Sequence, residues 1–375
     1  MPNSRIKIFH LITSLETGGA QQGLLLGLPL FDPDKYEHVI CSVTDRMHMA
    51  PYFEKIGVKT ISLGLSKKKD IFVAWRLRKI LNQYSPDVLH TYLFHGNLLG
   101  RIIGSLAAIP VIISSERTIG QANRFARILT RLTNPLAQAI EVNSTAVQQS
   151  VVQHLGTPEC KIRIIRSGFD INRLAKTDTS TNIREELNLP NSSKIVLIAG
   201  RLRTVKGIDY GLKAFSKFLQ VIPDTHLLIA GDGEERLNLE ILCGSLNIQD
   251  NVHLLGVRRD LPAILKISDA LLLPSLTEGF PRIAVEAAAT GCPIVATNVG
   301  GTPEIVKDGQ TGMLVEAKNT KQMAEALIDI FQNSKLRSQI IDGGLQKSKE
   351  FTIESYVNSL QSMYLELLNK HSYQV

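Results

Sequence analysis

Two carboxylates separated by seven residues, Glu278 and Glu286, stand in the stretch of this chain best suited to chemistry, residues 275–305. An apolar run, Ala270 to Leu273, reads as a buried strand ending at Pro274. Glu278-Gly-Phe follows as a loop, and Pro281 fits the first turn of a helix, where its missing N–H costs nothing. Glu286 then falls more than a turn inside that helix, which stops near Gly291 with Pro293 beyond it. A second strand, Ile294 to Thr297, runs into Gly300-Gly301. A carboxylate at the C-terminal edge of a strand, beside the N–H groups of a helix start, suits an anionic ligand that also carries hydroxyls. The N–H groups take phosphate oxygens, and the carboxylates take sugar hydroxyls. Ala284, Val285, Ala287 and Ala288 imply a buried helix around Glu286, where an unpaired carboxylate is expensive.

The elements that position this stretch are α/β throughout. In the second half, apolar runs at Ile195 to Ala199, His226 to Ala230 and Val252 to Leu255 precede the two strands above. Strands that are apolar on both faces and alternate with helices predict a parallel sheet covered on each side. After Gln310 two helices are expected, and a last one from about Ile353 to Asn369. The first half follows the same plan. Strands are expected at Ile6 to Leu11, Val39 to Val43, Val58 to Leu63, Asp87 to Thr91, Val111 to Ser114, Ala139 to Val142 and Ile162 to Ile165. Helices are expected near His48 to Ile56, from Ile71 to Gln83, opened by the segment His90 to Asn97, and from Asn123 to Asn134. Lys67-Lys68-Lys69 reads as a solvated turn and Thr177 to Asn182 as a polar loop. Thr17-Gly18-Gly19-Ala20-Gln-Gln-Gly23 imitates a dinucleotide fingerprint, with Ala20 at the middle glycine and Asp45 where a ribose-binding acid would lie. A dehydrogenase is therefore one reading of the first half taken alone.

The chain of 375 residues suits two domains, and 44% hydrophobic residues give each half a core. No apolar run approaches the ~20 residues of a membrane span, and nothing like a signal peptide opens the chain. Cys41, Cys160, Cys243 and Cys292 lack metal or redox spacing and read as buried, reduced thiols of a cytoplasmic protein. Asp32-Pro-Asp34 reads as a turn rather than a metal site. No nucleophile elbow, Walker loop or zinc spacing is present. The net charge of +7 is uneven: residues 1–170 hold 20 basic and 12 acidic residues, while the rest is slightly acidic. A basic first half favours an anionic membrane or phosphorylated ligands. The few aromatics and the absence of a binding motif speak against nucleic acid. In the helix from Asn123, Arg124, Arg127 and Arg131 recur at i, i+3 and i+7 beside Phe125, Ile128, Leu129 and Leu132. Such a helix either lies peripherally on anionic lipid at the inner face of the membrane or packs on its own domain with its arginines in water.

The spacing Glu278-Gly-Phe-Pro with Glu286-Ala-x-x-x-Gly resembles the E-x7-E signature of the retaining glycosyltransferases of family four, which have the GT-B fold. The resemblance extends through Gly200-Arg201-Leu-Arg-Thr-Val-Lys206-Gly207, Gly231-Asp232-Gly233, Leu255-Gly256-Val257 and Gly309-Gln-Thr-Gly312, and more loosely through Gly18-Gly19 and the His90 region. It implies two Rossmann-like, doubly wound parallel-sheet α/β domains facing a cleft. An acceptor-side domain would span residues 1–168, with a C-terminal helix of about 352–375 crossing back, and a donor domain 169–351.

The resemblance also implies roles. Glu278 would hold hydroxyls of the donor sugar and Glu286 the ribose. The N–H groups after Gly279, those of Phe280, Arg282 and Ile283, would approach the sugar or diphosphate. Val257-Arg258 would lie against the nucleobase, and Gly18 and Gly19 near the donor diphosphate and the acceptor. Arg201 and Lys206, five residues apart after a strand, would neutralise the charge that grows on the departing diphosphate, with Arg203 a lesser candidate. Many relatives place a histidine where Glu116 stands, which leaves Glu116 as a carboxylate near the acceptor hydroxyl, as a partner of Arg117 or as a side chain facing solvent. His95 is an acceptor-side candidate, and a metal shared by His90 and His95 lacks a third ligand in sequence. The expected reaction moves a hexose with retention, without cofactor or metal, from a UDP- or GDP-sugar to a glycan or lipid-linked acceptor. It would serve surface polysaccharide, lipopolysaccharide or glycolipid synthesis. A sugar-nucleotide epimerase on the same fold and a non-enzymatic binding module are the alternatives.

Overall fold

The computed structural model describes residues 5–65, 70, 72–120, 123–178 and 183–372. Lys67-Lys68-Lys69, the expected helix start at Ile71 and residues 179–182 of the polar loop lie outside the described residues. The chain divides into two compact units, Met1–Phe169 with Ile353–Val375, and Asp170–Thr352.

The first unit is built on a parallel sheet of seven strands: β1 (Ile6–Ile12), β2 (Tyr36–Thr44), β3 (Lys59–Leu65), β4 (Val88–Tyr92), β5 (Val111–Glu116), β6 (Ala139–Val142) and β7 (Ile162–Ile164). Their order is β3-β2-β1-β4-β5-β6-β7. Because strand side chains alternate, the sheet feeds a core on each face. Ile8, Ile12, Ile40, Val88 and Ile113 enter one core, and Phe9, Leu11, Val39, Leu89 and Ile112 enter the other. The final helix, Ile353–Ser372, belongs to this unit for a physical reason. Its Tyr356, Val357, Leu360, Met363, Tyr364 and Leu367 form one buried stripe in the first of these cores.

The second unit holds six parallel strands: β8 (Lys194–Ala199), β9 (Thr225–Ala230), β10 (Val252–Gly256), β11 (Ala270–Leu273), β12 (Ile294–Thr297) and β13 (Met313–Val315). Their order is β10-β9-β8-β11-β12-β13. Strand β13 departs from the expectation of helices alone after Gln310. It is a three-residue edge strand paired, among the described residues, with β12 alone, too short to carry a periodic signal. In both sheets the strand order reverses beside the first strand, at β1/β4 and at β8/β11. Ligands of open α/β sheets sit at the carboxyl ends of strands at such a reversal.

Candidate active site

At the β8/β11 reversal, two loops meet. The loop after β8 is pinned by fully buried Leu202 and ends in the short turn Thr204–Lys206. Gly207 follows with φ +58°, and a Cβ there would collide with the carbonyl oxygen of Pro274, so only glycine lets the two loops touch. The N–H of Leu276 donates to the carbonyl of Val205 at 2.8 Å across this contact. The consequence is a charge pair. Lys206 Nζ donates to Glu278 Oε1 at 2.6 Å, and Ser275 Oγ donates to the same oxygen at 2.7 Å. Glu278 is buried and Lys206 part-buried. Among the described residues, Glu278 Oε2 accepts no hydrogen bond, so the carboxylate is held by one oxygen and offers the other. The loop after β12 braces the arrangement: Thr297 Oγ1 donates to the carbonyl of Ser275 at 2.6 Å, and Gly301 N–H to that of Glu278 at 3.0 Å.

The helix carrying Glu286 runs Arg282–Thr290 and ends at Gly291, in the left-handed conformation that favours glycine at a C-cap. Pro281 is its N-cap rather than part of its first turn, because its carbonyl already accepts from Ala284 N–H at 3.0 Å while its own backbone stays extended. The backbone N–H groups of Arg282 and Ile283 therefore head the helix. Phe280 turns its ring into the core against Phe351, ring centres 5.5 Å apart, which leaves only its backbone for a ligand. Glu286 lies one turn beyond Arg282, whose Nη2 is 4.0 Å from Glu286 Oε1. Burial pushes the Glu286 carboxyl above its ordinary range, and Arg282 opposes this incompletely. It is a preformed acceptor with no hydrogen bond among the described residues.

The remaining second-unit candidates differ in what they offer. Arg201 is exposed just past β8, and among the described residues its guanidinium has no carboxylate partner. Arg203 is paired with Glu234 at 3.3 Å. Arg258 is committed on both sides, to Glu186 at 2.8 and 3.0 Å and to Asp260 at 2.9 and 2.7 Å, which hold its guanidinium firmly charged. It is a strut for the loop after β10. Val257 beside it is 77% exposed, an apolar surface at a strand end.

In the first unit, Gly18 caps and Gly19 starts the helix Gly19–Gly27 after β1. Asp45 is exposed after β2. Glu116 ends β5 and pairs with buried Arg101, not with Arg117. Its Oε1 accepts from Arg101 Nη2 at 3.1 Å and from Asn97 Nδ2 at 3.0 Å. Arg117 turns inward to Glu141 at 2.7 Å. His95 and Glu116 both line a cavity of about 500 Å³ that Arg127 and His154 also reach. Leu93 at its edge has φ +64°, a left-handed conformation that costs a leucine about 1–2 kcal/mol. His90 lies elsewhere, fully buried, bonded to Tyr364 Oη at 2.8 Å and Ser115 Oγ at 3.0 Å.

That histidine belongs to a buried polar network absent from the sequence reading. His38 Nδ1 meets His10 Nε2 at 3.0 Å, His10 Nδ1 meets Tyr92 Oη at 3.2 Å, and Tyr92 reaches His90. Ser115 Oγ and Arg117 then tie Glu141 into it. The available signal was a histidine interrupting each of the apolar runs of β1, β2 and β4. Among the described residues no three His, Cys, Asp or Glu are grouped to hold a metal ion, and no helix is long and apolar enough to cross a membrane. Cys41, Cys243 and Cys292 are buried as expected, whereas Cys160 is exposed.

The comparisons with known proteins follow this division. The model for glycosyl transferases group 1 matches residues 179–347, and that for Glycosyltransferase Family 4 matches residues 32–173. The chain is 25% identical over 98% of its length, and 98% of the relative's, to an Escherichia coli protein named UDP-Gal:alpha-D-GlcNAc-diphosphoundecaprenol alpha-1,3-galactosyltransferase. It is 26% identical over 84% of each chain to the N-acetyl-alpha-D-glucosaminyl L-malate synthase of Bacillus anthracis. Among solved structures, Anabaena HepE in complex with UDP-glucose superposes with a TM-score of 0.85 at 21% identity, covering 96% of this chain and 99% of that one. WaaG, a glycosyltransferase of lipopolysaccharide biosynthesis, gives 0.73 at 16% identity, covering 96% and 99%. With both models matched in succession on two parallel-sheet α/β units, the chain belongs to the GT-B glycosyltransferases of group 1.

Proposed function

We propose that this protein is a retaining hexosyltransferase. It takes its sugar from a UDP- or GDP-sugar bound on the second unit and delivers it to a glycan or lipid-linked acceptor. The observation that carries the reading is the Lys206–Glu278 pair at the β8/β11 reversal, with Glu286 on the next helix, 4.0 Å from Arg282 and without a side-chain hydrogen bond among the described residues. Lys206 binds the diphosphate while fixing Glu278, whose Oε2 accepts from a sugar hydroxyl, so one pair marks the junction of sugar and phosphate. Glu286 accepts from the ribose hydroxyls. The exposed Arg201 is the second cation at the diphosphate, and the backbone from Gly279 to Ile283 approaches it. Val257 supports the base. The bond from the anomeric carbon to the phosphate oxygen breaks, and the acceptor oxygen bonds to the same face of that carbon. The acceptor's proton passes to the departing phosphate oxygen. Fixed cations stabilise the charge growing there, so the proposed reaction is metal-independent.

A relative named for transfer from UDP-galactose to a diphosphoundecaprenol-linked sugar supports a uridine donor and a lipid-linked acceptor. It also favours work on surface glycans from the cytoplasmic side of a membrane. On the first unit, His95 and Glu116 line the cavity assigned to the acceptor. The test is turnover with UDP-glucose, UDP-galactose and their guanosine counterparts, offered an isoprenyl-diphosphate sugar, with proton NMR of the new anomeric centre. Product of the donor's configuration supports the reading, and inverted product refutes retention.

A further inference from the structure

The helix Arg124–Thr133 is turned inside out. Its buried face is small and polar: Thr130 and Thr133 are buried, with Ala126 half-buried on the same side. Thr133 Oγ1 is satisfied by the carbonyl of Leu129 at 2.8 Å and by Arg101. Three of its four large apolar residues point outward, Leu129 being half-buried. Phe125 is 69%, Ile128 47% and Leu132 71% exposed, at i, i+3 and i+7, so they form one continuous stripe. Arg124, Arg127 and Arg131 are exposed along the flank of that stripe. From Thr118 to Ala139 the chain carries these three arginines and no acidic residue, Arg117 before them being paired inward with Glu141. Arg127 belongs to two features at once, since it flanks the stripe and lines the cavity of about 500 Å³ that also holds His95 and Glu116.

An exposed apolar stripe rimmed by cations on a short helix is what an interfacial helix presents to lipid. The occupant is set by charge: three exposed arginines on a helix that carries no carboxylate of its own match anionic headgroups and would repel a basic partner. We infer that this face docks on an anionic membrane surface. Phe125, Ile128 and Leu132 enter the headgroup–acyl boundary, and Arg127 receives a lipid phosphate at the mouth of the cavity. The inference deepens the lipid-linked acceptor reading and rests on it for the cavity's purpose, but the docking surface is testable alone.

The experiment is flotation of the full chain with phosphatidylcholine vesicles, with and without phosphatidylglycerol, at low and high salt. Wild type is expected to float with the anionic vesicles and to lose at least tenfold in bound fraction on pure phosphatidylcholine. Phe125→Asp with Leu132→Asp should abolish flotation, and Arg124→Glu with Arg127→Glu should remove its anionic preference. Leu237→Asp with Ile241→Asp, on exposed apolar residues of the second unit, should float like wild type. All variants alter exposed side chains, and unchanged unfolding midpoints check their folding. Wild type that stays in solution, or a Phe125→Asp/Leu132→Asp variant that floats undiminished, overturns the docking surface. Thermal stabilisation by sugar nucleotides is read on the same samples. If it persists while flotation fails, the docking inference falls and the transferase reading stands.

Discussion

Replacing Lys206 by methionine keeps the side-chain stem and removes the charge. Glu278, buried and with a carboxylate otherwise bonded, among the described residues, to Ser275 alone, then loses the cation 2.6 Å away. A buried charged acceptor stripped of its partner costs about 1–3 kcal/mol. Since Lys206 itself is part-buried and its head retains some water, the lower half of that range is expected. Adding Glu278→Gln should recover most of the loss, because no charge is then left unpaired while Ser275 keeps an acceptor. Catalysis should not recover. Both the single and the double variant remove the cation proposed to face the departing diphosphate, and each should lower kcat on the order of 10²–10³. Urea unfolding followed alongside release of the nucleoside diphosphate separates the two effects. Strictly additive stability losses would show that the two side chains are not coupled. A rate within threefold of wild type, under saturating donor, would remove Lys206 from the reaction.

Further outcomes follow from the same geometry. Gly207→Ala, placed at φ +58° against the Pro274 carbonyl, should destabilise by more than the ~1 kcal/mol of the backbone strain alone and weaken sugar-nucleotide binding, because the loop carrying Lys206 must move; unchanged melting and binding would contradict it. Glu286→Gln should raise the unfolding midpoint at neutral pH. The folded state holds that carboxyl above its ordinary range, so ionisation there disfavours folding, and the variant's advantage should vanish as pH falls through the carboxyl range and the wild type protonates. In the first unit, burial holds His10 well below 6.5 and His38 down to about 4. The unfolded chain therefore takes up these protons first. Stability should be complete above pH 6.5 and fall as pH drops toward 4, by up to about 1.4 kcal/mol per pH unit for each histidine. Urea melts between pH 4 and 8 measure it, and a flat profile would contradict the buried neutral network.

The strands β11 and β12 could be read to the residue because both are uniformly apolar and end at proline or glycine punctuation. Gly291 announced its helix end for the same reason. Edge strand β13 was not legible: three residues with one neighbour need little apolar character. Pro281 is the N-cap, one position earlier than the sequence predicts, since proline satisfies either an N-cap or a first-turn position and the Ala284 N–H bond decides. The site residues were legible as types in loops. Their pairing was not, because Lys206 and Glu278 are brought together by Gly207 packing on Pro274, a contact across the sheet that leaves no local pattern. Glu116 shows the same limit: its partner is Arg101, fifteen residues back on a helix, and not the adjacent Arg117, which the Glu141 carboxylate draws inward. The buried histidines of β1, β2 and β4 pack side by side only because their strands are neighbours in the sheet.

Sugar-nucleotide binding through Glu286 and the Lys206–Glu278 pair would show directly in the stability of the folded chain. Thermal unfolding against a panel of uridine and guanosine diphosphate sugars, with Glu286→Gln in parallel, tests it most directly. A donor at a hundredfold its Kd should stabilise the wild type by about 2.7 kcal/mol, and the variant should lose most of that shift. A panel that moves neither protein, or that moves both equally, would show that these side chains do not hold a sugar-nucleotide donor.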